Sequence, residues 1–116
     1  MKVILPLPVT TNHAYGTHGK IKYMTAEAKS WKEEAIYKFK GYKGVNPSVI
    51  KITYYLKFNR DVDGSHKLIL DAMQERGGGA GVMKDDTSIV ELHLYKFKAK
   101  DNPRVEVDFY AGVVIS

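Results

Sequence analysis

Five of the seven aspartates in this chain stand between Asp61 and Asp86. Arg60-Asp61-Val62-Asp63 leads the run, Lys67 and Asp71 follow, and Asp85-Asp86 closes it beyond a stretch rich in glycine. Asp61 and Asp63 are two apart, so in extended backbone their side chains leave the chain on the same side. Asp63, Lys67 and Asp71 recur every four residues and share one helix face if a helix begins at or near Asp63. Hard carboxylate oxygens in this number suit Mg2+, with Mn2+ as a substitute, since such ions keep several waters and take one or two carboxylates each. An ion held there activates water and offsets the charge that builds on a phosphodiester. Lys67, in the middle of the run, is placed to stabilise that charge or the leaving oxygen.

Each piece also has a purely structural reading. Asp63 would serve as a helix cap, Lys67 with Asp71 as an exposed i,i+4 pair, and Asp85-Asp86 as turn residues. The cluster as a whole argues for a site, because carboxylates gathered in one place repel until a cation neutralises them. The rest of the chain carries the opposite charge: the total is +5 and the pI about 9.3. An acidic knot in a basic body favours an anionic partner, nucleic acid before membrane surface.

Composition narrows the class. With 116 residues, 44% hydrophobic and 27% charged, the chain reads as one soluble globular domain spanning 1–116. No run approaches the roughly 18 apolar residues of a membrane helix, and the apolar segment at Met1–Pro6 is too short for a signal peptide. The expectation is a cytoplasmic protein. There is no cysteine, so thiolate metal sites and disulfides are excluded. His13 and His18 fall in a polar stretch, Thr10 to Met24, that offers nothing to complete a metal site and reads as a surface loop.

The elements that must position the acids follow from periodicity. Lys2 to Leu7 is a short strand ended by Pro6 and Pro8. Thr25 caps a helix running to about Tyr42, with Ala28, Trp31, Ala35, Ile36, Phe39 and Tyr42 on one stripe and its lysines mostly on a solvated face. Val49 to Phe58 is the clearest strand, Ile50, Ile52, Tyr54, Leu56 and Phe58 pointing one way, and it delivers the chain to Arg60 and Asp61. A second helix, about Ser65 to Arg76, buries Leu68, Ile69, Ala72 and Met73. Gly77–Gly81 ends it with no preferred conformation. A third long strand spans Thr87 to Lys98, with Val90, Leu92 and Leu94 inward and a bulge or an exit from the core where Lys96 and Lys98 take up their parity. Asp101-Asn102-Pro103 then turns into a last strand carrying Val105, Val107 and Phe109, a natural hairpin partner for the third. The order β-α-β-α-β-β predicts an α+β fold, a small mixed sheet covered on one face by two helices.

The order Arg-Asp-x-Asp-x-x-x-Lys-x-x-x-Asp, then glycine, then Asp-Asp resembles the RusA family of Holliday-junction resolvases. Pro6-Leu7-Pro8 with Asn12 and Tyr15 is similar to that family's Pro-rich opening, so the likeness spans most of the chain. The resemblance implies a homodimeric, Mg2+-dependent endonuclease that makes paired cuts in four-way junction DNA. It implies Asp61, Asp63 and Asp86 as metal-binding and catalytic, Lys67 as the catalytic lysine, and Asp71 and Asp85 as further acidic positions. Arg60, Ser65, His66 and Asn12 are the implied nucleic-acid contacts. Two departures stand out: Gly64 where the family usually has Asn, and a longer glycine loop before Asp85-Asp86. The rival readings are a non-catalytic DNA-binding module of the same fold and another metal-dependent phosphohydrolase acting on nucleotides or RNA. Residues alone, without the resemblance, support metal-dependent phosphodiester chemistry or a basic domain with an acidic patch.

Overall fold

In the computed structural model, which describes residues 1–8, 15–18, 21–58 and 64–111, the secondary structure runs β1 (Lys2–Leu5), β2 (Tyr15–His18), β3 (Ile21–Met24), α1 (Ala26–Phe39), β4 (Val49–Leu56), α2 (His66–Met73), β5 (Glu91–Lys98) and β6 (Arg104–Tyr110). Single 3-10 turns cover Lys40–Tyr42 and Asp86–Ser88. The regular alternation of β4 explains its place. Ile50, Ile52, Tyr54 and Leu56 are buried, while Val49, Lys51, Thr53 and Tyr55 remain partly exposed. Such a strand needs partners on both edges and cover on one face. It pairs antiparallel with β6 and parallel with β5, and β1 adds to the far side of β6, giving the order β1-β6-β4-β5.

The covered face carries Val3 and Leu5 from β1 and Val105, Val107 and Phe109 from β6. Against it lie Ala28, Trp31, Ala35 and Phe39 of α1 and Leu68, Ile69, Ala72 and Met73 of α2. Full burial of each large side chain contributes roughly 1.5–3 kcal/mol, which makes this face the main source of stability. The Thr25 hydroxyl accepts from Ala28 N at 3.3 Å and starts α1 as its sequence predicts. Trp31 Nε1 donates to the Pro6 carbonyl at 2.8 Å, tying α1 to the chain just beyond β1. Tyr42 meets the Phe109 ring edge-on at 5.2 Å. The fold is therefore the expected α+β arrangement of a four-stranded mixed sheet and two helices.

Four expectations are corrected. Part of the predicted loop from Thr10 to Met24 is strand: β2 and β3 pair antiparallel, His18 opposite Ile21. The signal for this was Gly19 at the first of two residues linking two short runs, the sequence of a tight hairpin link. The last two strands are not hairpin neighbours, because β6 inserts between β1 and β4 while β5 lies on the other side of β4. β4 is thereby paired on both edges, and its inward residues Ile50, Ile52, Tyr54 and Leu56 are all buried. The third strand begins at Glu91, and its apolar residues are not core: Val90, Leu92 and Leu94 are 62%, 38% and 46% exposed. No bulge intervenes, since β5 stays in continuous register with β4 from Val49–Glu91 to Leu56–Lys98. Leu92 and Leu94 share the side of Ile50 and Ile52, but they stand at the sheet margin, where the helices leave them uncovered. Finally, Phe58 is 74% exposed and lies beyond the end of β4.

Candidate active site

The acids depend on α2 and the segment that follows it. Ser65, just before α2, is 1% exposed, and its hydroxyl donates to Tyr54 Oη at 2.9 Å. This hydrogen bond fastens the start of α2 to β4. The Ser65 side chain, where a nucleic-acid contact was expected, is thus turned into the protein. Leu68, Ile69, Ala72 and Met73 face inward, which leaves Lys67 exposed and Asp71 half-buried at the margin of the helix.

The glycine-rich segment after α2 has a defined path, contrary to the sequence expectation. Ala80 N donates to Ala72 O and Val82 N to Met73 O, both at 2.8 Å. Glu75 N reaches Met83 O at 2.8 Å and Arg76 N reaches Lys84 O at 3.1 Å, while Gly44 N and Asn46 N bond Gly81 O and Val82 O. Ala80, Val82 and Met83 are buried. Gly79 makes this packing possible: a Cβ there would stand 1.9 Å from Gln74 O and 2.5 Å from Asp71 O. The segment therefore folds back along the end of α2 and delivers Asp85 and Asp86 to a fixed place.

Asp85 caps the 3-10 turn of Asp86–Ser88, its Oδ1 accepting from Thr87 N at 3.0 Å and from the Thr87 hydroxyl. The hydroxyl bond, then the N–H bond, hold its carboxyl below the usual carboxylate range, and the nearby positive charges of Arg76 and Lys84 act in the same direction. Asp86, one residue on, is exposed and lines an open cleft of about 470 Å³ together with Asp71. Met24, Lys32, Gln74, Arg76 and Gly77 complete the lining.

The structure thus brings Asp71 and Asp86 to one cleft. Lys67 lies on α2 outside its lining, and Asp85 is engaged in the turn. His66 is half-buried at the start of α2. Arg60, Asp61, Asp63 and Asn12 lie outside the described residues, as does His13. Because α2 begins at His66, a helix face shared by Lys67 and Asp71 is present, with no ion pair between them among the described residues. Among the described residues no group of three or more His, Asp or Glu side chains gathers as a metal site. Asp71 and Asp86 line the same cleft, and each would offer hard carboxylate oxygens of the kind Mg2+ takes from protein. Gly64 has φ +78, in the left-handed region that Asn tolerates best among residues with side chains. The departure from Asn therefore preserves the local backbone.

Two cleft residues were not singled out from sequence. Lys32 was assigned with the other lysines of α1 to a solvated face, and Arg76 to the end of α2. Their proximity to the acids depends on how α1 crosses α2 and on the return of the glycine segment, neither of which has a local signal. A smaller groove of about 200 Å³ lies at the carboxyl ends of β4 and β5, lined by Leu56, Phe58, Lys96, Phe97 and Lys98.

The fold is α+β, and one open cleft of it is lined by the carboxylates Asp71 and Asp86 and the cations Lys32 and Arg76. Residues 6–110 match the model of the endodeoxyribonuclease RusA family, nearly the whole chain. The protein belongs to that family, whose members are endonucleases that resolve Holliday junctions and act on junction DNA. A search of curated proteins gives no match. Among the described residues no helix is long and apolar enough to cross a membrane.

Proposed function

We propose that this protein is a Mg2+-dependent endonuclease that resolves four-way DNA junctions by paired cuts as a homodimer, in DNA recombination and repair. The observation that supports the reading is that Asp71, from α2, and Asp86, from the turn before β5, line one open cleft. Asp61, Asp63 and Asp86 would hold the ion, with Asp71 beside them. Bound there, Mg2+ supplies an activated water and offsets charge on the phosphodiester. The chain's own contribution is positional. The Ser65–Tyr54 bond fixes the start of α2, the ladder from Glu75 to Lys84 fixes Asp86, and exposed Lys67 is offered to the DNA backbone as a stabiliser of the leaving oxygen. A junction has approximate two-fold symmetry and needs two cuts, which an isologous dimer with two acidic sites matches.

A labelled synthetic four-way junction tests this. The expected result is symmetric nicking in Mg2+ and none in EDTA. Asp63→Asn should cut at least about 100-fold more slowly yet bind the junction as wild type does. Binding by the wild type with no metal-dependent nicking would establish the non-catalytic module instead.

A further inference from the structure

We propose that Lys32 and Arg76 form a cationic rim that grips a backbone phosphate of the DNA next to the carboxylates and so holds the strand at the cleft. This rests on the nuclease reading above and adds the residues that seat its substrate. Lys32 comes from α1, where it follows buried Trp31 and is itself only partly exposed. The helix gives it no acidic neighbour: positions three and four away are Lys29, Ala35, Ala28 and Ile36. Lys38 on the same helix differs, since it pairs with Glu34 at 3.6 Å and donates to Ile4 O at 3.3 Å. Arg76 is fixed through its backbone, its N–H donating to Lys84 O at 3.1 Å.

Both side chains line the cleft that also holds Asp71 and Asp86. Among the described residues neither cation makes an ion pair with either acid. Two carboxylates and two cations therefore face one open space without neutralising each other by contact. A divalent ion on the carboxylates adds two positive charges beside Lys32 and Arg76, and a phosphodiester strand is the ligand those cations and the ion attract. The guanidinium of Arg76 suits a phosphate with two parallel donors, and Lys32 acts as a point charge. A bound ion therefore strengthens the attraction of the cleft for DNA, and bound DNA strengthens that for the ion.

The experiment uses the full chain with Lys32→Gln and Arg76→Gln, with Lys29→Gln as a control on the exposed side of α1. Junction affinity is measured against salt with Ca2+ in place of Mg2+, and cleavage is measured in Mg2+. Each cleft variant should reduce the slope of log affinity against log salt by about 1, the loss expected for one phosphate contact. Each should raise KM about three- to tenfold at moderate salt with kcat within about threefold of wild type. Arg76→Lys should recover the slope and only part of the affinity, and Lys29→Gln should behave as wild type. Unchanged slope and KM in both cleft variants overturn the inference, as does an equal loss in Lys29→Gln. If the wild type cuts while the cleft variants match it, the inference alone fails. If the wild type does not cut, the nuclease reading fails while the salt slopes still decide the phosphate grip.

Discussion

Gly79→Ala should be among the most damaging single-methyl changes available to this protein, although the site looks like a loop in sequence. An added Cβ would meet three backbone carbonyls at the end of α2: Gln74 O at 1.9 Å, Asp71 O at 2.5 Å and Ala72 O at 2.9 Å. Backbone cannot rotate away as a side chain can, so the segment must lift. Lifting it breaks the Ala80–Ala72 and Val82–Met73 hydrogen bonds, about 1 kcal/mol each. It also uncovers part of Val82 and Met83, both fully buried, which adds about 1 kcal/mol each for partial exposure. The sum, about 4 kcal/mol, corresponds to a fall in Tm of about 15 °C for a chain this size. Thermal unfolding followed by circular dichroism measures it. Gly41→Ala is the matched control: a Cβ there meets nothing within 4 Å, and the substitution should leave Tm unchanged or raise it slightly. A Gly79→Ala variant melting within 2 °C of wild type, as an approximate limit of significance, would refute the claim that this segment is packed and positions Asp86.

Two further outcomes follow from other contacts. Ser65→Ala removes a hydrogen bond from a fully buried tyrosine and should cost about 1–2 kcal/mol in urea unfolding, while junction affinity stays at the wild-type value; a loss of affinity without loss of stability would return Ser65 to the DNA surface. Glu106 is nearly buried between Lys2 at 3.0 Å and Arg104 at 2.7 Å. The Lys2 hydrogen bond, with that of Arg104, holds its carboxyl below the ordinary value of 4.5. A carboxyl lowered on folding gives stability that is fully present above the unfolded value and is lost as pH falls through the folded one. Wild-type stability should therefore decline below about pH 4.5 more steeply than that of Glu106→Gln, measured as Tm against pH; parallel curves would remove Glu106 from the account.

The sequence was most informative where burial is dictated locally. The alternation of β4 from Ile50 to Leu56, the stripe from Ala28 to Phe39 and the Thr25 cap each depend on neighbours within a turn or a pleat, and each appears as read. The register of the sheet was less legible, because the Asp101–Pro103 turn is compatible with a hairpin and only the competition for β4 decides that β6 goes to its other side. Leu92 and Leu94 misled for the same reason: alternation reports which way a residue points, not whether anything covers it. Asp71 and Asp86 were singled out in the sequence, but their place on one cleft depends on the backbone ladder after Met73, for which a glycine run gives no direction. Lys32 reached the cleft only through the packing of α1 against α2.

The most direct measurement of the central claim is Mn2+ binding to the junction-bound protein, read by electron paramagnetic resonance, for wild type and for Asp86→Asn. A cleft that holds a divalent ion on Asp86 predicts at least about a tenfold weaker Mn2+ affinity in the variant, with junction binding in Ca2+ maintained. Equal Mn2+ affinity in the two proteins would contradict the account.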